Sequence, residues 1–507
     1  KMIFFIFAIF CFVSFIECKQ SPIKHVVAVM YENRAFDHML GHLKSKNHKI
    51  NGLTGKETNP IDPRNPSAGH VRVSFDAVDS IPMNPGHSVE STEFEIWGSE
   101  KRVSHPPMNG FVGDMLAHGE PLEIAKKVMQ CYNESTLSTL SFLAKEYALF
   151  DSWFSSIPGP TFPNRLMAWA ATSNGWASNS INADITGFPQ RSIFADFRES
   201  DFGQDFNYKV YFSDFPTPVV LDDVRAHPLH IRPLEELALD AALGELPPFS
   251  WIGPRFFSIG DFIESDEHPH TTTHFSGDSI KAGDDLLKWI YDTLRTSPAW
   301  NDTALLIYYD EHGGLYDHVA PPQTGVPAPD HHVSKNPPFD FTRLGVRVPA
   351  VLVSPRVQRG SLVRPPSGKH FDHTSFLATL RQIFPQLPQR PLSKREAWVA
   401  DFADVLNHPP RAHTPPAPGG KVNANAVHHD DGTLQALYDA EARDTAQAAV
   451  HRATPLSDLQ HDLVTLAAGM AGDHPDSDVL ATARSNIAEG ALYIRKTMQK
   501  LMSNNKK

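Results

Sequence analysis

Along the 507-residue chain, short continuous apolar runs of β-branched and aromatic residues alternate with stretches of helical period. The runs Val26 to Tyr31, Ala304 to Tyr309 and Ala350 to Val353 have strand length and no polar alternation, which predicts strands buried on both faces. Helical patterns cover Leu137 to Ala148 and Asn164 to Thr172. This alternation predicts an α/β fold: a doubly wound, largely parallel central sheet with helices on both faces. The Pro-, Gly- and His-bearing segments Asn51 to Met108 and Asp201 to His274 are too long for simple connections and read as insertions that wall a site.

Near His408 the sequence becomes NHPPRAHTPPAPGG, a composition suited to an extended linker. Beyond it, amphipathic patterns run over Thr433 to His451, Ser457 to Met470 and Ser477 to Met502, with Ser457 and Ser477 placed as N-caps. The organisation expected is a catalytic domain over 19–408, a linker over 409–430 and a small helical C-terminal segment over 431–507. At the other end, the apolar run Ile3 to Ile16 is shorter than the roughly 20 residues a membrane-spanning helix needs. It reads as a signal peptide over 1–18, which implies a secreted protein or one held in the lumen of the secretory or endolysosomal pathway. Cys11 and Cys18 would leave with it, so Cys131 would stand alone and the mature chain would have no internal disulfide. Asn133-Glu134-Ser135 and Asn301-Asp302-Thr303 are glycosylation acceptor tripeptides.

A formal charge of -12, with no block of Lys or Arg, excludes nucleic acid as the main partner. The 26 His residues make that charge strongly pH-dependent. No oligomeric state follows from the sequence.

The candidate chemistry begins where two of the apolar runs end. The first stops at Glu32-Asn33 and the late one at Asp310-Glu311. Ligands of open α/β sheets lie outside the carboxyl ends of the strands, so on neighbouring strands these endings would bring four oxygen donors together, as a divalent cation requires. Either ending alone is also what an ordinary strand followed by a polar turn looks like. Between them lies FDSWFSSIPGPTFPNRLMAWAATSNG, where Pro158-Gly159-Pro160 forces an extended approach and Pro163 suits the first turn of a helix. Thr161 then sits at the positive end of that helix. Taken alone, it reads most simply as a cap. Beside a cation it becomes a candidate nucleophile, with Asn164 and Arg165 placed to face a phosphate.

Together, ENRAFDH, PGPTFPNR, YYDEHGGLYDHV, VPAVLVSP and FDHTS resemble the phosphoesterase family of the alkaline phosphatase superfamily, from about His25 to about Leu380. That family contains phosphatidylcholine-preferring and non-specific phospholipases C and a related acid phosphatase. The resemblance implies Glu32, Asn33, Asp310 and Glu311 as metal ligands and Thr161 as nucleophile. It raises His87 and His268 as proton donors to the leaving group, with His270 and His312 near the substrate. His373, in FDHTS, is expected to support the strand ends from behind. One departure is Ala35, where the family usually carries Ser, which affects only a local hydrogen bond near Arg34.

The expected function is a secreted, metal-dependent phospholipase C that cleaves glycerophospholipids such as phosphatidylcholine to diacylglycerol and a phosphorylated head group through a phosphothreonine. The alternative is a broad acid phosphatase acting on soluble phosphomonoesters. All-oxygen ligands suit Ca, Mg or Mn, and a His ligand would favour Zn. A lipid substrate implies transient contact with a membrane surface; the basic helix from Ile494 to Lys507 is a candidate for it, although taken alone it reads most simply as a solvated helix end. A sulfatase is disfavoured because that chemistry oxidises Cys or Ser to an aldehyde and Thr would give a ketone. A non-catalytic binding protein is disfavoured by the intact nucleophile and ligand set.

Overall fold

The computed structural model describes residues 21–77, 84–99, 101–179, 187–258, 263–269, 279–420, 454–473 and 477–504. The leader, His270 and the pattern Thr433 to His451 lie outside the described residues.

An eight-stranded sheet organises the chain. Its strands are β1 (His25–Tyr31), β2 (Ala148–Phe150), β3 (Tyr208–Phe212), β4 (Ile231–Pro233), β5 (Phe249–Gly253), β6 (Thr303–Tyr309), β7 (Ala350–Val353) and β8 (Ser361–Val363). The spatial order is β8-β2-β7-β6-β1-β5-β3-β4. Every pairing is parallel except the two made by β7, which runs antiparallel to both β2 and β6. The central strands β1 and β6 are the continuous apolar runs of the sequence, and β6 is buried along its whole length, as a strand covered by helices on both faces must be.

The segment expected as an insertion over Asp201 to His274 is instead part of the sheet, supplying β3, β4 and β5. Strands of three to five residues set among Pro and polar turns are too short for hydrophobic periodicity to reveal. Likewise the helix expected over Leu137 to Ala148 ends earlier, at Ser138–Glu146, and Ala148 opens β2.

The Pro-rich stretch after His408 is extended, as its composition implies, but its middle part, Thr414 to Ala417, is docked on the protein. Tyr291 Oη donates to Pro415 O (2.5 Å), Lys288 Nζ to Ala417 O (3.1 Å) and Trp300 Nε1 to Thr414 Oγ1 (3.1 Å). Among the described residues, the first C-terminal helix spans Asp458–Ala471 and opens with Ser457 in a capping box with Gln460. The pattern Ser477 to Met502, expected as one helix, breaks into Asp478–Ala483 and Ile487–Asn504. Asn486 Oδ1 accepts from Glu489 N–H (3.0 Å), restarting the helix after a Ser-Asn pair that competes for backbone groups. Leu459, Leu463 and Ile494 belong to the same apolar cluster as β1 and β6, so these helices share one core with the sheet.

Candidate active site

The register of β1 on β6 pairs Tyr31 with Tyr309, so the next residues, Glu32 and Asp310, leave the sheet side by side. Glu32, Asn33, Asp310 and Glu311 are all fully buried. The two endings lock together: Arg34 N–H donates to Glu311 O (2.9 Å), and Asp310 Oδ1 accepts from the N–H groups of Asn33 (3.1 Å) and Glu311 (2.8 Å). Asn33 holds a left-handed backbone (φ 54°), a conformation Asn tolerates better than most residues. Gly313 follows with φ 66°, and a Cβ there would stand 2.3 Å from Asn33 O, so only glycine fits.

Within this enclosure, both amide atoms of Asn33 and Glu311 Oε1 have no hydrogen-bond partner among the described residues. Buried polar atoms are normally satisfied; of these three, Asn33 Oδ1 and Glu311 Oε1 are acceptors whose lone pairs suit a cation, whereas the Asn33 amide nitrogen is a donor. The residues present therefore fit a hard divalent cation. Asp37, Asp317 and His318 also lie close enough to share an ion. There Arg347 meets Asp37 at 3.1 Å and Asp317 at 3.0 Å, so a buried guanidinium bridges two carboxylates in this group just as Arg165 bridges Glu32 and Asp310.

Strand β2 ends at the same edge of the sheet, because Phe150 pairs with Ala350 and Ala350 with Tyr308. The chain then loops back over residues 151–160 to the helix Thr161–Ala170, which begins three residues earlier than its sequence pattern predicts. Thr161 is its first residue, and its Oγ1 donates to Glu32 Oε2 (3.3 Å). The neighbouring Phe162 N–H is taken by Asn179 Oδ1 (2.9 Å).

Asn164 and Arg165 do not face outward toward a phosphate. The Asn164 amide spans the preceding loop, accepting from Ile157 N–H (2.9 Å) and donating to the carbonyls of Ile157 (3.1 Å), Gly159 (2.9 Å) and Pro160 (3.1 Å). It thereby shapes the approach to Thr161. Arg165 is fully buried, with Nε on Asp310 Oδ2 (3.1 Å) and Nη2 on Glu32 Oε1. A guanidinium buried away from bulk solvent is stabilised most by opposite charge, which Glu32 and Asp310 supply at the strand ends. Burial lifts the Glu32 carboxyl well above its ordinary range, with Arg165 opposing and Asp310 adding to the rise.

The histidines divide by their partners. His87 Nδ1 contacts Pro85 O (2.8 Å); a carbonyl can only accept, so Nδ1 donates there, and Nε2 lies 4.0 Å from Glu311 Oε1. His268 is buried in a segment joined to the site by the Glu32 N–H to Asp266 O bond (2.9 Å), and its Nδ1 contacts Pro269 O (2.7 Å). His312 is turned away from open space, its Nε2 on Glu95 Oε2 (2.7 Å) and its Nδ1 3.6 Å from Glu311 Oε2. Burial would lower its pKa, but the facing carboxylates of Glu95 and Glu311 push it up to about 10. Burial lifts Glu95 to about 8, against the pull of His312.

His373 stands behind the strand end: Trp153 Nε1–H donates to its Nδ1 (3.3 Å), so its Nε2 carries the proton given to Asp310 O (2.6 Å). Burial lowers its pKa, consistent with this neutral tautomer. Arg34, beside Ala35, grips Glu267 O through Nε (2.8 Å). Sequence reasoning missed Glu95, which lies in an ordinary-looking helical stretch, and the carboxylate-bridging role of Arg165, which no spacing signals.

The sequence model of the Phosphoesterase family matches residues 23–387. Non-specific phospholipase C1 of Arabidopsis thaliana is 36% identical over 502 residues, covering 95% of this chain and 86% of its own. Non-specific phospholipase C6 of the same plant is 37% identical over 467 residues, covering 90% and 82%. A solved structure from Vibrio parahaemolyticus, described as a protein in the alkaline phosphatase superfamily, aligns at 13% identity over 52% of this chain and 65% of its own, with a TM-score of 0.32. With the family model spanning most of the chain and two relatives aligned along nearly all of it, the protein belongs to the Phosphoesterase family and is a phosphoric ester hydrolase.

Proposed function

We propose that this hydrolase is a secreted, metal-dependent phospholipase C acting through a covalent phosphothreonine. The observation that carries the mechanism is Thr161 Oγ1 at the first position of a buried helix, 3.3 Å from Glu32 Oε2 at the strand ending whose next residue, Asn33, has an amide with no partner among the described residues. The substrate class rests on relatives named as phospholipases C along almost the whole chain. Secretion rests on the apolar N-terminal run Ile3 to Ile16.

In the first step Thr161 Oγ1 forms a bond to phosphorus and the bond from phosphorus to the glycerol oxygen breaks. The hydroxyl proton passes toward Glu32, its existing hydrogen-bond partner, and His268 or His87 protonates the departing diacylglycerol alkoxide. Water then attacks phosphorus, breaks its bond to Thr161 Oγ1 and releases the phosphorylated head group. A cation held by Glu32, Asn33, Asp310 and Glu311 would offset the charge developing on the phosphoryl oxygens. Arg165 keeps Glu32 and Asp310 fixed at their separation throughout, and His373 anchors Asp310 through its backbone.

The test is acid quenching during turnover of phosphatidylcholine labelled in the choline group. Label stays on wild-type protein and is absent from Thr161→Ala, which loses turnover. Near-normal turnover by Thr161→Ala with cation bound would overturn the mechanism. Faster hydrolysis of a small aryl phosphate than of phosphatidylcholine, over about pH 5 to 8, would replace the lipid substrate with soluble monoesters.

A further inference from the structure

Glu311 has two oxygens in unequal surroundings. Oε1 has no hydrogen-bond partner among the described residues and faces His87 Nε2 across 4.0 Å. Oε2 accepts from Gly313 N–H and lies 3.6 Å from His312 Nδ1. The opposite ring nitrogen of His312 contacts Glu95 Oε2 at 2.7 Å, and the edge of the His312 ring rests near Phe111 (centroids 6.2 Å apart, interplanar 83°). All three members, Glu95, His312 and Glu311, are at most 1% exposed.

An imidazole between two carboxylates is held by both. Its position follows the outer one, Glu95, as much as the inner one. Glu95 is itself rigidly placed, on the helix Val89–Trp97, which Ser88 caps by accepting from Ser91 N–H (3.1 Å). That helix begins two residues after His87, so one element presents His87 to Glu311 Oε1 and Glu95 to the back of His312. Gly110 N–H closes on Glu95 O (2.9 Å) and fixes the far end.

An interior ion pair of this kind is a poor device for stability, because desolvating the charges offsets most of their attraction. As a second layer behind a metal-binding carboxylate it has a clear use: partners of ligating groups orient them and set their affinity. We propose that Glu95 is a positioning residue for the cation site. It aligns His312 so that Glu311 Oε2 is engaged from behind and Oε1 alone is offered to the ion. The inference rests on the reading of Glu311 as a cation ligand.

The experiment measures Mn²⁺ binding to the purified full chain, from the electron paramagnetic resonance signal of the free aqueous ion, together with the thermal unfolding midpoint without metal. Glu95→Gln and His312→Gln are each expected to weaken Mn²⁺ binding about tenfold or more. The double variant should be no weaker than the worse single one, because the two residues act as one unit. Glu396→Gln breaks a buried pair with Arg381, on helices that carry none of the four candidate ligands, and serves as the control: its midpoint falls while its Mn²⁺ affinity stays at the wild-type value. If Glu95→Gln and His312→Gln lower the midpoint but bind Mn²⁺ as wild type does, the pair is structural only and the proposal is overturned. If Glu95→Gln does not fold, His312→Gln decides by the same criterion. If wild type itself binds neither Mn²⁺, Ca²⁺ nor Zn²⁺, the cation reading of the four strand-end residues fails and takes this proposal with it.

Discussion

Arg165 distinguishes two ways this site could work, and replacing it tests them. In the structure the guanidinium is buried with Glu32 and Asp310, and all three side chains have no exposed surface. Arg165→Met keeps much of the volume but leaves two carboxylates facing each other without a counter-charge. Removing one member of a buried ion pair costs about 3–5 kcal/mol, since the remaining charge stays desolvated. Here two partners are stranded, and the bond from Nη2 to Met30 O (3.3 Å) is lost as well, so the upper part of that range is expected. Even about 3 kcal/mol shifts the folding equilibrium more than a hundredfold. The assay is thermal and urea unfolding of wild type and variant, read beside KM and kcat on phosphatidylcholine. The expected result is a large loss of stability, with saturating Mn²⁺ recovering part of it by supplying positive charge to the same carboxylates. A variant with wild-type stability and a raised KM would refute this reasoning and return Arg165 to direct phosphate contact.

Other expectations follow from single positions. Gly313→Ala forces a Cβ to 2.3 Å from Asn33 O at φ 66°, so it should cost about 2–4 kcal/mol from strain and overpacking and abolish turnover, checked by unfolding and activity together. His42 is buried with its pKa lowered to about 4, mainly by burial. Its native state therefore resists protonation, and its contribution is fully present above the ordinary value of 6.5 and lost as pH falls toward 4. The loss is on the order of 3 kcal/mol, and His42→Gln should flatten the decline of the unfolding midpoint between those limits; parallel profiles would disprove it. Deleting 454–507 should leave the remainder poorly soluble, because Leu459 and Leu463 belong to the common core, and light scattering at matched concentration would show it.

Reading the chain without its fold reached the strand endings and the helix start at Thr161 because each is carried by local signals. A continuous apolar run implies a doubly buried strand, an abrupt carboxylate pair implies its end, and Pro-Gly-Pro before an amphipathic stretch implies a helix start. Those rules placed Glu32, Asn33, Asp310, Glu311 and Thr161 within a residue or two of where the structure has them. The short strands β3, β4 and β5 escaped because three to five residues carry too little period to register, and their stability comes from neighbours already in the sheet.

What the tertiary structure alone decided is which partner each side chain takes. The parallel register of β1 on β6 puts Glu32 against Asp310, and only then do two carboxylates create the field that draws Arg165 inward instead of toward solvent. His312 likewise takes Glu95, a residue 217 positions away, as its hydrogen-bond partner. Local patterns are written into the sequence because backbone geometry enforces them over a few residues. The direction of a buried charge is set by the sum of fields from groups remote in sequence, and that sum exists only once the chain has folded.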